Sequence, residues 1–343
     1  MPPSRYEQAG VSIDAQDQAI QNIKSDVKST ATSRVLSEIG SFGGLFDIRF
    51  PEMTNPVLVA SADGVGTKLK VAFDAGKHDT VGQCLVNHCI NDILVQGAKP
   101  LFFMDYIATG KLKPGVVGDI LAGMAVACRE SELAILGGEM AEMPGFYQTD
   151  EYDVAGFIVG VVDRTKILGE KRVQKGQKIV GLKSSGLHTN GYSLARKIVF
   201  EEAQLQLHDK VPGSEQTVVD ALLAVHRPYY KTVATLLQSD HIQAMAHITG
   251  GGFLDNVPRV LPKHLNATIA INSYPVPPLF KFLVEKGEVT RDEAYRVFNM
   301  GIGMMLFVEP EHMDHVQNHL REQGEEPVLL GDVVDGTGIV TLV

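Results

Sequence analysis

The sequence predicts an α/β protein of the α+β type, with two domains behind an N-terminal arm, and three observations predict it. Short apolar runs of strand composition alternate with amphipathic helical stretches in both halves of the chain. The 343 residues include 34 glycines, many of them where a strand gives way to a helix. A single polar stretch rich in Lys and Gly, residues 164–177, interrupts the alternation. The arm is placed at 1–50, the first domain at 51–168 and the second at 169–343, each domain long enough to bury its own core.

The arm is polar apart from one helical pattern, 14–28, followed by a Gly-rich loop at 37–44. Such a segment is either frayed or laid over another part of the molecule. Tyr6-Glu7-Gln8-Ala9-Gly10-Val11, with a ring, an acid and a turn glycine close together, favours the second. From Pro56 the expected order is strand 57–62, helix 68–75, helix 80–96, strand 101–108, helix 115–131, strand 133–136 and strand 152–162. In helix 80–96, Val81, Leu85, Val86, Cys89, Ile90, Ile93 and Leu94 make one apolar face, and Asn87, Asn91 and Asp92 the polar one. Gly97 and Pro100 stop it. After the polar stretch come strand 179–183, helix 190–203, one or two helices over 217–239 around Pro228, strand 244–248, a short helix ending near Pro262 and strand 267–271. Helices 278–286 and 291–298, strand 302–308, helix 313–323 and strands 327–334 and 338–343 close the chain.

Composition narrows the function. A formal net charge of −10 argues against a general nucleic-acid or anionic-membrane binder, which needs a basic footprint. There is no apolar leader, and no apolar run approaches the ~18 residues of a membrane span. Cys84, Cys89 and Cys128 show no C-x-x-C spacing and read as buried, reduced thiols. The expectation is a cytoplasmic protein.

Five stretches carry chemistry. Asp63-Gly64-Val65-Gly66-Thr67-Lys68 lies between a strand and a helix; two glycines, a Lys and an Asp suit a polyphosphate held with a hard cation. Its spacing is neither a Walker A loop nor G-x-G-x-x-G, and its plain alternative is an exposed turn. Asn91-Asp92, with Asp105 on the next strand, offers further hard oxygen ligands, although an Asp on a helix is ordinarily solvated. Gly137-Gly138-Glu139 places an acid after two glycines, either a hairpin turn or a strand end delivering a ligand. Ser185-Gly186-Leu187-His188-Thr189-Asn190 and His247-Ile248-Thr249-Gly250-Gly251-Gly252 each open a helix, where unsatisfied N–H groups favour anions. For Thr189 and Asn190 the alternative is a plain N-cap, and for the triple glycine a flexible connection. Together these imply a nucleotide with Mg²⁺ facing a phosphorylated substrate.

The motifs Tyr6-x-x-Ala9-Gly10-Val11, Asp63 to Lys68, Asn91-Asp92-x-x-x-x-Gly97-Ala98-x-Pro100, Gly137-Gly138-Glu139-x-Ala141-Glu142-Met143-Pro144-Gly145, Gly186-x-His188-x-Asn190-Gly191-Tyr192-Ser193 and His247-x-Thr249-Gly250-Gly251-Gly252 occur in an order, over nearly the whole chain, that resembles the phosphoribosylformylglycinamidine cyclo-ligase family, the aminoimidazole ribonucleotide synthetases. The resemblance implies ATP-dependent closure of formylglycinamidine ribonucleotide, through an iminophosphate, to 5-aminoimidazole ribonucleotide, ADP and phosphate. It implies metal contact by Asp63, Asp92 and Glu139. It implies nucleotide contact by Gly64, Gly66, Thr67, Lys68, Asn91, Gly137, Gly138 and Glu139, and substrate contact by Ser185, Gly186, His188, Asn190, Thr249, Gly250 and Gly251. Asp63, Lys68, Asp92 and His188 become the catalytic set, with His188 a candidate for proton transfer or for holding the iminophosphate. The implied fold is a homodimer whose N-terminal domains build an intersubunit barrel, each followed by an α/β sandwich domain, with the arm closing over the nucleotide.

Thr249 departs from the wider superfamily, where selenophosphate synthetases and thiamine-phosphate kinases place an Asp. The alternatives are another ATP-using member of that superfamily or a catalytically silent nucleotide-binding subunit. No Cys precedes Cys84, which disfavours a selenophosphate synthetase, and a silent subunit would not need Asp63, Lys68, Asp92 and Glu139.

Overall fold

The computed structural model describes residues 5–38 and 40–343, with the side chains of Tyr6 and Glu7 outside what is described. The chain forms two compact units, one of residues 1–93 and 100–161, the other of 94–99 and 162–343.

The first unit carries α1 (Arg5–Gln8), α2 (Ile13–Ser29), β1 (Pro56–Gly64), α3 (Lys68–Ala75), α4 (Asp79–Leu94), β2 (Lys99–Thr109), α5 (Pro114–Glu130), β3 (Ala134–Glu142) and β4 (Tyr152–Asp163). Its sheet has the order β1-β4-β2-β3, so β1 and β3 are the edges. Alternation along β2 sends Phe103, Asp105 and Ile107 into the core and leaves Met104 on the open face. Leu58 of β1 and Phe157 of β4 are also exposed.

The arm is ordered. Ser12 caps α2 by accepting the Ala15 N–H at 3.2 Å, and α2 buries Ala19, Ile23 and Val27. It packs on α5 and β3; Glu142 accepts the Ser12 N–H at 2.7 Å, and Thr30 Oγ1 accepts the Ile135 N–H at 2.9 Å. These contacts lay the helical part of the arm over its own unit.

Two local expectations change. Strand 133–136 extends to Glu142, so Gly137 and Gly138 lie inside β3, paired in parallel with β2, instead of ending it. Gly138 opposes Asp105, and a Cβ there would come within 2.5 Å of Asp105 Oδ1, so the glycine makes room for a buried carboxyl and forms no turn. The polar side of α4 is largely closed off: Asn87, His88 and Asn91 are buried along with its apolar residues, while Asp92 keeps partial exposure.

The second unit carries β5 (Lys178–Lys183), α6 (Tyr192–Arg196), α7 (Val218–Leu222), α8 (Tyr230–Gln238), β6 (Ile242–His247), α9 (Gly252–Asn256), β7 (Leu265–Ile269), α10 (Pro278–Lys286), α11 (Arg291–Val297), β8 (Ile302–Val308), α12 (Met313–Glu322), β9 (Val328–Asp335) and β10 (Val340–Leu342). Its sheet order is β10-β7-β9-β5-β8-β6, with β8 buried along its whole length. The helix expected at 190–203 becomes π-helical from Lys197 to Glu202, and 217–239 resolves into α7 and α8 with an irregular stretch containing Pro228 between them. Cys84, Cys89 and Cys128 are all buried. Among the described residues no helix is long and apolar enough to cross a membrane.

Candidate functional site

In the first unit, β1 and α4 bring two carboxylates to one imidazole. Asp63, near the end of β1, places Oδ2 2.9 Å from His88 Nε2, while its Oδ1 accepts the Gly64 N–H at 2.7 Å. Asp92, one helical turn beyond His88, places Oδ2 3.9 Å from the same nitrogen and accepts from Ser61 Oγ at 3.2 Å. Ser61 and Asp63 share a face of β1 because they are two residues apart. Burial by itself would lower the pKa of His88, but the Asp63 hydrogen bond and the Asp92 and Asp63 charges outweigh it and hold the imidazole above its ordinary value. The pair thus creates a local demand for positive charge. Asp63 remains 37% exposed, so hard oxygen donors are accessible there, and the donor set fits Mg²⁺.

The rest of the expected nucleotide grip is arranged differently. Gly66 takes a φ of 55°, and Thr67 precedes α3 without a side-chain capping bond. Lys68 does not face solvent: it is 0% exposed, with Nζ 3.1 Å from Cys84 Sγ. Helical phase explains this, since Lys68, Leu69, Val71 and Ala72 form the buried side of α3. Asn91 is buried within α4. Glu139 pairs in register with Tyr106, on the alternate face from Asp105 and Gly138, and is exposed. Asp63 instead turns toward α4 from the opposite edge strand, three inter-strand steps of roughly 4.8 Å away. The structure therefore brings Asp63 and Asp92 together and leaves Glu139 apart from them within one chain. Asp105 is not with them either; its carboxyl lies against Gly138, and burial pushes it up to about 7.

In the second unit, residues 184–191 leave β5 as a tied loop. Ser184 Oγ donates to Asn299 Oδ1 at 3.0 Å, and Asn299 Nδ2 donates to the Gly186 carbonyl at 2.8 Å. Ser185 hydroxyl donates to the Val225 carbonyl, and its N–H to His188 Nε2 at 3.3 Å. His188 is buried at a φ of 61°, a conformation a non-glycine residue holds only where its surroundings impose it. Its ring lies across β8: a Cβ on Gly303 would come within 2.5 Å of His188 Cε1 and 2.2 Å of the Tyr229 hydroxyl. Thr189, His226 and His247 complete a buried group, His226 Nε2 lying 3.1 Å from His247 Nε2.

The triple-glycine loop is not a loose connection. Asn256 Nδ2 donates to the carbonyls of Thr249, Gly250 and Gly252 at 3.3, 3.2 and 2.8 Å, and its Oδ1 accepts from Thr249 Oγ1 at 3.3 Å. A Cβ on Gly250 would come within 3.2 Å of Asn190 Oδ1, and Gly251 takes a φ of 97°, so the two loops adjoin. The helices they open are irregular: α6 has five residues before it turns π-helical, and α9 has five before a 3₁₀ turn. Gly191 and Gly251 are their caps, which leaves Thr189 and Asn190 available to the loop. Any anion here is held by loop N–H groups and side chains.

Sequence reasoning missed His88, His226, Asn256 and Asn299, and gave His247 no role. For His88 the signal was its i, i+4 relation to Asp92; the other missed residues carried no spacing.

Two family models match, AIR synthase related protein N-terminal domain over residues 47–162 and C-terminal domain over 174–343. A phosphoribosylformylglycinamidine cyclo-ligase of Alkaliphilus metalliredigens is 47% identical over 342 residues, covering 100% of this chain and 99% of that protein. One from Trichlorobacter lovleyi is 50% identical over 332 residues, covering 97% and 95%. Among solved structures, a hydrogenase maturation protein HypE in complex with ATP superposes with a TM-score of 0.70 at 15% identity, covering 98% of this chain and 93% of that one, which shows a shared fold. With both domains matched and nearly full-length relatives close to half identical, the chain belongs to the AIR synthase-related family and, within it, to the phosphoribosylformylglycinamidine cyclo-ligases.

Proposed function

We infer that this chain is an ATP-dependent cyclo-ligase of de novo purine biosynthesis, which closes formylglycinamidine ribonucleotide to 5-aminoimidazole ribonucleotide with release of ADP and phosphate. The observation that carries the reading is its 47% and 50% identity, over nearly the full length, to proteins named as cyclo-ligases. The geometry supports it through the Asp63–Asp92 pair, which suits a metal–nucleotide complex.

Phosphoryl transfer from ATP to the formyl amide oxygen makes a poor leaving group a good one. The amidine nitrogen then attacks the same carbon, a C–N bond forms, the C–O bond breaks and phosphate leaves. Asp63 and Asp92 would hold Mg²⁺, whose chemistry is to neutralise charge on phosphate oxygens. Gly66 and Thr67 let the backbone ahead of α3 approach phosphate, while the Gly64 N–H holds the Asp63 carboxylate in place. Lys68 lies buried beneath the turn with Nζ 3.1 Å from Cys84 Sγ and supports the turn from that side. In the second unit Ser185, Gly186, His188, Asn190, Thr249, Gly250 and Gly251 hold the substrate, and the tied loops keep their donors in place.

The protein is proposed to work as a homodimer. Leu58, Met104 and Phe157 are 58%, 38% and 43% exposed on the first unit's sheet, an apolar face that a second copy would cover in forming a barrel. A second copy also supplies a Glu139 that one chain does not bring to its own Asp63. The buried, reduced cysteines suit the cytoplasm.

The deciding experiment is direct: ADP is expected to form only with formylglycinamidine ribonucleotide and Mg²⁺, together with aminoimidazole ribonucleotide. Equal ADP formation without that substrate would overturn the assignment. For the dimer, mixing inactive Asp63→Asn with inactive Glu139→Gln should restore part of the activity; no recovery would place both residues in one subunit's site.

A further inference from the structure

His226 is the side chain on which both proposed substrate loops converge. It lies in the irregular stretch between α7 and α8 and is 0% exposed. Its Nδ1 is 3.3 Å from Thr189 Oγ1, its Nε2 is 3.1 Å from His247 Nε2, and its ring stacks on His188 with centroids 4.0 Å apart and planes at 21°. Thr189 and His188 belong to the loop after β5. His247 ends β6 and opens the triple-glycine loop.

Two imidazole nitrogens at this distance share one hydrogen, because two N–H groups would repel and two lone pairs would make no bond. The hydrogen on neutral His226 therefore couples its two contacts. If Nε2 carries it, Nδ1 must accept from the Thr189 hydroxyl; if Nδ1 carries it, His247 must be the donor. Asn190 Nδ2 donates to Thr189 Oγ1 at 3.4 Å, so the threonine already accepts one bond, and donating to His226 Nδ1 would give its hydrogen an acceptor in the same network.

One nitrogen from each of His188, His226 and His247 lies within 4.8 Å of the others, which suggests a metal centre. The stack argues against it. Imidazole lone pairs lie in the ring plane, and nearly parallel planes 4.0 Å apart do not aim His188 and His226 at one ion. A hydrogen-bonded chain uses the observed geometry without rearrangement.

We propose that His226 is a positioning residue for the cyclisation: it carries its hydrogen on Nε2, accepts the Thr189 hydroxyl at Nδ1, and holds His247 as the Nδ1–H tautomer. One imidazole thereby fixes the donor pattern of both loops. The proposal rests on the reading that these loops hold the substrate.

Two measurements test it. Nitrogen-15 NMR of histidine-labelled wild-type protein is expected to show His226 protonated at Nε2 and His247 at Nδ1; the reversed pair of tautomers would overturn the proposal. His226→Phe keeps a ring against His188 but removes both hydrogen bonds, and should lower kcat at least about 10-fold, less than the roughly 10²-fold or more of a direct acid–base group, with the KM for ATP little changed. His226→Gln, whose amide reaches the Nε2 position, should recover most of that loss. Wild-type kcat in the Phe variant, or equal losses in Phe and Gln variants that remain folded, would overturn it. If the Phe variant does not fold, the wild-type tautomers decide. The NMR reading needs no turnover, so the predicted tautomers in a protein that forms no aminoimidazole ribonucleotide would count against the assigned activity alone.

Discussion

The two units solve the problem of holding a polar ligand in opposite ways. In the first, two carboxylates converge on one imidazole, and Asp63 stays partly exposed with its charge available. In the second, the polar groups are imidazoles, amides and hydroxyls, nearly all buried and satisfied by one another. Charge left open can recruit a cation, because the unmet demand for positive potential is what binds it. A closed neutral network recruits nothing by long-range force; it presents fixed donors at short range.

The sharpest challenge to that contrast is Asp105, an acid of the first unit buried as the second unit buries its polar groups. Its pKa is about 7, against 3.8 for an ordinary Asp. The folded state binds this proton more tightly than the unfolded chain, so its contribution is fully present below about pH 4 and is lost as pH rises through about 7. About 3 pH units at 1.36 kcal/mol each give up to about 4 kcal/mol. Urea unfolding at pH 5 and pH 8 should show about two-thirds of this loss in the wild type, because two of the three units lie above pH 5, and Asp105→Asn should flatten it. An unchanged slope would make Asp105 an ionised member of the charged set.

Removing charge from the open pair should cost chemistry and spare the fold. Asp63→Asn is expected to lower kcat by at least about 10²-fold, roughly 2.7 kcal/mol, with little change in thermal midpoint. Near-wild-type turnover would remove Asp63 from the site. In the closed network the cost should appear in stability. Asn256→Ala strands three loop carbonyls, and about 2 kcal/mol of unfolding free energy should be lost in a urea titration. Smallest is Ser12→Ala, which removes the cap of α2 for about 1 kcal/mol, measurable as a shift of the same titration.

The contrast also separates what was legible in the sequence from what was not. Periodicity located α3, α10 and β8 to the residue and most other elements to within two, because burial enforces the period. Asp63 and Asp92 could be read because an acid beside a glycine turn and another on a helix are local patterns. The motif offers Lys68 as a phosphate contact, since it shows a charge but not which side of α3 the core takes. Gly138 was read as punctuation because nothing in the sequence shows Asp105 lying over it. His226 had no pattern at all; it sits in an irregular stretch, and its partners are 37 and 21 residues away.

The three cysteines have a practical consequence. All of them lie in the first unit and are buried, and burial holds the Cys89 and Cys128 thiols well above their ordinary pKa, where they are poor nucleophiles. A thiol-specific dye added to the native protein will therefore react only as fast as the first unit opens and will be blind to opening of the second. The molecule carries its own clock for half of its structure, and adding ATP with Mg²⁺ should slow that clock to the extent that the nucleotide holds the first unit closed.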